Sequence, residues 1–378
     1  MSHPKITYTS ISSIDKTSSL HPNHCFDYSN FLTNKDSILN GFSIMHLNIQ
    51  SLRAKHTALE CFLAEVNDFD VLCFSETWLN DFNFQCYNFT NYNHLSSVRQ
   101  KRCGGTSIFI KNHHHYTLRD DIKTKLWEDS TFEIVIAELR KLPTNFLIAC
   151  VYRSPNSNIN KFLRLLESLF DIAINENKLL LIGGDFNIDI LQTSSNTHDL
   201  MSALLTSNFN SLIHLPTRVT DHSSTCLDNF ITNIPNINST GVLQTDISDH
   251  YPIFVDLAIY TPERNYRPQL KAYRRHITTH SKQLFVNIIS KHDWSPIIEE
   301  SDVDKKYNIF INSFTQYMNL CFPLRLYNID SDKKNPWFNS QVKQLNRIKS
   351  SLYLLSLYNP RLKLPYNRLN KHYKKLLN

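Results

Sequence analysis

The chain has 378 residues, enough for one large domain with an appendage or for two domains. It is 41% hydrophobic, 20% charged and 12% aromatic with only six glycines, which excludes collagen-like and glycine-rich low-complexity chains and fits a protein with a buried core. The net charge of +6 is uneven: residues 1–260 carry 19 Lys and Arg against 26 Asp and Glu (−7), whereas residues 261–378 carry 21 against 8 (+13). An acidic body suits metal or polar chemistry, and a basic tail suits contact with a polyanion such as nucleic acid. No apolar run approaches the ~18 residues that a membrane span needs, so no membrane partner is expected. Residues 1–20 lack the apolar segment of a signal peptide, so the expected location is intracellular and not secreted. The eight cysteines (Cys25, Cys61, Cys73, Cys86, Cys103, Cys150, Cys226 and Cys321) form no Cys-x-x-Cys pair, and Cys73 and Cys150 lie in apolar runs. That pattern predicts reduced, buried thiols, not a disulfide framework or a zinc module.

In chain order, residues 1–40 are rich in Ser, Thr, Asn and His without a sustained period, and read as a disordered lead-in. Regular pattern begins at Phe42 with a strand-like run over 42–48. Leu52, Leu59, Phe62, Leu63 and Val66 then recur at helical spacing across 51–66, and 70–75 reads as a second buried strand. Residues 80–104 read as a long polar, aromatic surface loop. Phe82, Phe84, Tyr87, Phe89 and Tyr92 in it suit either core packing or stacking on bases. Strands are expected over 106–111, 131–139 and 146–152, the second of them with one face less apolar. His113-His114-His115 reads as a turn between strands, with transition-metal binding the alternative. An amphipathic helix over 157–176 precedes a buried strand over 178–186 that ends in glycines, and 227–232 and 251–259 complete the strands. Pro262 and Pro268 mark a boundary. Beyond it, 270–320 and 338–378 carry helical spacing, many Lys, Arg and Tyr residues, and no strand pattern. Paired strands with helices between some of them argue for packed sheets covered by helices.

Chemistry-bearing residues collect at the strand ends. The first strand ends at Asn48, the second at Glu76, the strand 146–152 at Tyr152 and the strand 178–186 at Gly183-Gly184-Asp185-Phe186-Asn187. Another begins at Asp228, and Ser248-Asp249-His250 precedes the last. Singly, a glutamate at a strand end is a surface or capping residue, and Asp-x-Asn after Gly-Gly is a turn. Together they are different, because ligands in layered α/β folds gather at such ends, and several carboxylates in one pocket repel unless a cation or shared protons intervene. Hard oxygen ligands in modest number suit Mg²⁺, and a base beside a metal suits hydrolysis of a phosphate ester.

His46-Leu-Asn48-Ile-Gln-Ser-Leu52, Ser75-Glu76-Thr-Trp-Leu79, Tyr152-Arg-Ser-Pro155, Gly184-Asp185-Phe-Asn187, Leu227-Asp228 and Ser248-Asp249-His250 resemble, in order, the motifs of the endonuclease/exonuclease/phosphatase superfamily; Gly104-Gly105 before an apolar strand also fits. The resemblance covers about 42–260 and implies the DNase I-like four-layer α/β sandwich, followed by a mainly helical basic region. The expected domains are therefore a lead-in over 1–40, the sandwich over 41–260 and a basic helical connector over 261–378. Residue by residue, the resemblance implies Glu76, Asn48 and Asp249 as ligands of Mg²⁺, with Mn²⁺ as a substitute. It implies Asp185 as the base for the attacking water, Asn187 as the holder of that water or the phosphate, His250 paired with Asp228 at the scissile phosphate, and Tyr152 as a donor to a phosphate oxygen.

Within the superfamily, members that repair abasic DNA resemble Asn-x-Asp-Gly-Leu at the first motif, where this chain has Asn48-Ile-Gln50-Ser51-Leu52. Asn-Ile-Gln-Ser-Leu, Glu-Thr-Trp-Leu, Tyr-Arg-Ser-Pro, His214-Leu-Pro-Thr-Arg218 and the stretch before Asp228 look like the endonuclease of LINE-type (non-LTR), jockey-like retrotransposons. Asn335-Pro-Trp-Phe338 and Leu352-Tyr353 look like the connector that such polyproteins place before the reverse transcriptase, and no polymerase motif is present. The resemblance thus implies a Mg²⁺-dependent endonuclease, part of an element's polyprotein, that nicks DNA to leave a 3′-hydroxyl. DNA is the expected partner, with element RNA on the basic tail and a nuclear site of action. The alternatives are a catalytically inactive or domesticated DNA-binding remnant, and a phosphatase of the same fold. Oligomeric state is not legible.

Overall fold

The computed structural model describes residues 23–66, 69–80, 84–99, 103–142, 145–220, 222–259, 270–329 and 339–377. The chain runs β1 (Asn23–Asp27), α1 (Tyr28–Ile38), β2 (Phe42–Asn48), α2 (Leu52–Val66), β3 (Val71–Ser75), β4 (Tyr92–Ser97), β5 (Thr106–Lys111), β6 (His115–Leu118) and α3 (Asp120–Leu126). β7 (Glu133–Arg140), β8 (Phe146–Tyr152), α4 (Ile159–Asn175), β9 (Leu179–Asp185) and α5 (Ser195–Thr206) follow. Three two-residue strands come next, β10 (Asn210–Ser211), β11 (Arg218–Val219) and β12 (Ser224–Thr225), then β13 (Asp228–Thr232), β14 (Ile237–Gln244) and β15 (Ile253–Leu257).

These strands form two mixed sheets. The first has the order β1-β14-β15-β2-β3-β5-β4 and the second β10-β13-β9-β8-β7-β6. Alternation along each strand builds the layers. Phe42 and Ile44 of β2 and Val71 and Cys73 of β3 share one apolar cluster with Val135 and Ala137 of β7 and Ile148 and Cys150 of β8, so this cluster lies between the sheets. Met45, Leu47, Leu72 and Phe74 face the other way, onto α1 and α2 through Phe31, Leu59 and Phe62. Leu147, Ala149 and Val151 face outward onto α4 and α5 through Phe162, Leu166, Phe170 and Leu200. Helix, sheet, sheet, helix is the four-layer α/β sandwich expected from the sequence. Strands buried on both faces explain why their sequences read as continuous apolar runs. α4 shows the local logic: Asn158 accepts from the Lys161 N–H to cap it, and residues at helical spacing bury Phe162, Leu166, Leu169, Phe170 and Ala173.

Several expectations change. Residues 23–38, inside the expected disordered lead-in, are ordered: β1 adds to the sheet edge by parallel pairing with β14, and Tyr28 and Phe31 of α1 are buried. The isolated segment has no period to betray this, because β1 takes its hydrogen bonds from a strand more than 200 residues away. The expected loop 80–104 contains a short 3₁₀ turn at Phe84–Cys86 and the strand β4, and Phe89 and Tyr92 are core residues; Phe82 lies outside the described residues. The expected less apolar face of β7 is also buried, Glu133 included. All eight cysteines are free, but Cys25, Cys86 and Cys103 are exposed where burial was expected.

Residues 265–334 form a separate compact unit, and the sandwich unit comprises the chain to 264 together with 335–378. The smaller unit holds β16 (Leu270–Arg275), α6 (Thr279–Lys291), α7 (Ser295–Glu299), α8 (Val303–Cys321) and β17 (Leu324–Ile329), with β16 and β17 paired antiparallel. The absence of strands expected past Pro268 is thereby corrected. A two-strand ribbon separated by some 50 residues of helix has no turn signature in the sequence. α9 (Ser340–Tyr358) and α10 (Lys363–Leu377) return to the sandwich unit; the Asn335–Phe338 motif lies outside the described residues. No described helix is long and apolar enough to cross a membrane.

Candidate active site

β2 and β3 run parallel with Asn48 opposite Ser75, so Asn48 and the residue after β3, Glu76, leave the first sheet at the same edge. In the second sheet, Tyr152 at the end of β8 stands opposite Asp185 at the end of β9, and Asp185 stands opposite Asp228 at the start of β13. Directly opposed residues project to the same face, which groups Tyr152, Asp185 and Asp228. The Asn48 amide joins the two sheets, donating from Nδ2 to Glu76 Oε1 at 2.9 Å and to Asp185 Oδ2 at 2.8 Å.

Local backbone explains these positions. At Gly184 a Cβ would lie 2.3 Å from the Val151 carbonyl oxygen, so only glycine lets β8 and β9 approach closely enough to pair Tyr152 with Asp185. Gln50, Ser51, Glu76, Trp78 and Asn187 all have positive φ, a conformation that L-residues hold only when their surroundings over-determine it. For Glu76 those surroundings are visible: Thr77 and Trp78 donate backbone N–H groups to the Gly105 and Gly104 carbonyls at 3.2 and 2.9 Å, and Gly105 itself has φ +84°. Buried Glu133 accepts from the Gly105 N–H at 2.5 Å and secures that loop from behind.

Asp185 is 1% exposed. Its Oδ1 accepts from the Asn187 N–H at 2.9 Å, and its Oδ2 accepts from both the Asn48 and Asn187 amides. Burial and then the charge of Asp228 push its pKa up to about 7, against the opposing pull of His250 and Asn48. Asn187 also donates to the Arg153 carbonyl at 2.7 Å, while the buried Arg153 guanidinium binds the Phe186 and Asn187 carbonyls at 2.6 and 2.9 Å and fastens the turn.

Asp228 Oδ2 accepts from Thr217 Oγ1 and from His250 Nδ1, each at 2.7 Å. Burial works against a charged His250, but the charge and hydrogen bond of Asp228, with Asp185 and Asp249 behind it, hold its pKa up at about 9. His250 is therefore an imidazolium at neutral pH, with Nδ1 fixed on its carboxylate. His46, 3.7 Å from Asp228 Oδ1 and fully buried, goes the other way: burial lowers its pKa to about 4 and keeps it neutral. The Tyr152 hydroxyl sits beside Glu76 and Asp185, and burial with those two charges raises its pKa well above the ordinary value.

Seven of the eight expected site residues thus meet around one point. The eighth, Asp249, stands apart: its Oδ2 is held by Arg218 Nε and Nη2 at 3.0 and 2.9 Å. Thr217, His46, Arg153 and Arg218 appear in the sequence reading only inside motifs, with no role given to any of them. His113 and His114 lie in a turn and face Asp70 at 4.0 and 2.8 Å, at the opposite end of β3 from Glu76.

Asp185, Asp228 and His250 offer ligand atoms within 4.8 Å of one another. Asp228 Oδ1 is buried without a hydrogen-bond donor, and burial and then the charge of Asp228 disfavour a second free carboxylate at Asp185. A site whose hard oxygens (Glu76, Asn48, Asp185) outnumber its positive charges fits a divalent cation with a preference for oxygen ligands.

A family model described as "Endonuclease-reverse transcriptase" matches residues 146–254. No curated protein matches the chain. Among solved structures, the endonuclease domain of TRAS1, a telomere-specific non-LTR retrotransposon, is 16% identical over 58% of this chain and 100% of its own, with a TM-score of 0.48. The Xenopus laevis APE2 catalytic domain is 14% identical over 61% of this chain and 100% of its own (TM-score 0.47). A Bacteroides thetaiotaomicron mannosyl-6-phosphatase is 14% identical over 57% of this chain and 99% of its own (TM-score 0.43). Residues 146–254, which carry Tyr152, Asp185, Asn187, Asp228, Asp249 and His250, thus match the endonuclease-reverse transcriptase family model, and they lie within the four-layer α/β sandwich.

Proposed function

We propose that the protein is a Mg²⁺-dependent endonuclease that hydrolyses a phosphodiester bond in duplex DNA, as the nuclease part of a non-LTR retrotransposon polyprotein. The observation that carries this reading is the convergence at the strand ends of both sheets of the hydrogen-bonded group Asn48, Glu76, Asp185 and Asn187, the Asp228–His250 pair with ligand atoms within 4.8 Å of Asp185, and Tyr152 beside Glu76 and Asp185. Glu76 and Asn48 would hold the cation, and Asp249 would join them on release from Arg218. When bound, the cation supplies positive charge to the phosphate oxygens and to the leaving oxygen.

The remaining steps belong to the chain's own groups. Asp185, held by two amide side chains and one backbone N–H, accepts a proton from the attacking water through a carboxylate oxygen. Asn187 holds that water or the phosphate. Water oxygen bonds to phosphorus, the bond from phosphorus to the 3′ oxygen breaks, the departing oxygen takes a proton from solvent, and the products are a 5′-phosphate and a 3′-hydroxyl. His250, an imidazolium aimed by Asp228, and Tyr152, a neutral phenol, place N–H and O–H donors where charge builds on the phosphate.

A supercoiled-plasmid assay tests the reading. Conversion to open circles with Mg²⁺, its loss in EDTA and its loss in Glu76→Ala are the expected results; a folded wild-type chain that leaves the plasmid intact overturns it.

A further inference from the structure

α9 and α10 lie against α2 and the loop between β14 and β15, and enclose with them a cavity of about 270 Å³. The same loop, four residues past Asp246, carries His250. Three lysines line the cavity: Lys55 of α2, Lys349 of α9 and Lys374 of α10. One carboxylate lines it, Asp246, and it is occupied: Lys349 Nζ reaches its two oxygens at 2.8 and 2.7 Å, and Tyr366 donates to it at 3.0 Å. Lys349 also lies 4.8 Å from the ring centre of Tyr373. Three lysines against one aspartate leave a charge of +2. Among the described residues, neither Lys55 nor Lys374 has a carboxylate within ion-pair distance. Burial and the charges of Lys374 and Lys349 act against the Lys55 ammonium, so the cavity holds more positive charge than it neutralises. Asp249, beside His250, is near enough to act on Lys55, which sets the cavity on the flank of the candidate active site.

We propose that Lys55 and Lys374 bind a backbone phosphate of the duplex next to the one cleaved, so that the α9–α10 hairpin is part of the nuclease's substrate surface. The proposal rests on the nuclease reading. A lysine ammonium recognises a phosphodiester as a point charge, with no demand on base sequence, and each phosphate neutralised releases counterions. The hairpin is held independently of these two residues by Lys349–Asp246 and by Arg347 on Glu65 at 3.0 Å, so removing Lys55 and Lys374 leaves its seat intact.

The test is binding of a fluorescent duplex oligonucleotide to the full chain in EDTA, across a salt series. Lys55→Ala with Lys374→Ala is expected to weaken binding by about tenfold near 0.1 M salt and to lower the slope of log K against log salt by about 1–2, and Lys55→Arg with Lys374→Arg to restore both. An unchanged affinity and slope in the alanine pair overturns the proposal while leaving the nuclease reading in place. Loss of inorganic phosphate binding in that pair, with duplex binding intact, assigns the cavity to a free anion and also overturns it. A wild-type chain that binds no duplex overturns it as well, and plasmid nicking by the same preparation shows whether the nuclease reading falls with it.

Discussion

Asp185 and His250 sit in one cluster with opposite electrostatic needs. Asp185 is pushed toward the neutral form by burial and Asp228, while His250 is held charged by the same aspartate. One carboxylate thus acts on both groups in opposite senses, which is how neighbouring titratable residues take different roles. Asp185→Ala and His250→Ala are each expected to lower the nicking rate by about 10²–10⁴; rates equal to wild type would remove both from the mechanism. Away from the site, Asp70 is a second buried carboxylate. Burial opposes its ionisation, but His114 at 2.8 Å, Lys111 and the Ser43 N–H hold its pKa below the ordinary 3.8. A carboxylate with a depressed folded pKa stabilises above its unfolded pKa, and that contribution fades as pH falls through the folded value. Asp70→Asn is therefore expected to cost about 1.5–3 kcal/mol at pH 7, with the difference from wild type shrinking below about pH 4, as read by urea titration at each pH. Asp185, Asn187 and Glu76 were legible because each lies at a strand end within a short motif. Thr217 and His46 were not legible as partners of Asp228, because their roles exist only once strands distant in sequence are paired.

At the scale of elements, close packing decides which residues are tolerated. Gly184 lies where a Cβ would meet the Val151 carbonyl, so Gly184→Ala is expected to force β8 and β9 apart, shift Asp185 and cut nicking more than it cuts thermal stability. Phe170 of α4 is fully buried and stacks on Phe209 with ring centres 4.1 Å apart. Phe170→Ala is expected to cost about 3–5 kcal/mol by denaturant titration, because the cavity lies between a helix and a sheet that cannot collapse onto it. The interior strands and α4 were readable from apolar runs and period. β1, β4 and the β16–β17 ribbon were not, because short edge strands carry little pattern and are made by the partner strand they pair with.

At the scale of the whole molecule, the basic C-terminal region has two fates. α9 and α10 belong to the sandwich unit, and Val342 and Tyr373 cover Cys61 of α2. The α6–α8 unit instead exposes Val286, Ile298, Val303 and Leu320 at 65–77%. The seat of the hairpin depends on Asp246, whose pairing with Lys349 is almost fully buried, at 4% and 8% side-chain exposure. Asp246→Ala is expected to destabilise the sandwich by about 3–5 kcal/mol, since it strands a lysine charge in a buried site, and Lys349→Met in the same chain should restore part of the loss. A melting temperature unchanged by Asp246→Ala would show that the hairpin is not seated there.

What the sequence determined by itself was the alternation of apolar strands and helices, and the collection of carboxylates, amides and a histidine at the strand ends, because both are local: side-chain period follows from backbone geometry, and a motif lies within a few residues. Only the tertiary structure decided that Asn48 spans from Glu76 to Asp185, that Arg218 takes Asp249, that residues 23–27 add a strand to a sheet, and that α9 and α10 of the basic tail cover α2. Each of these is a pairing between segments tens to hundreds of residues apart, and such pairings are set by the packing of whole layers.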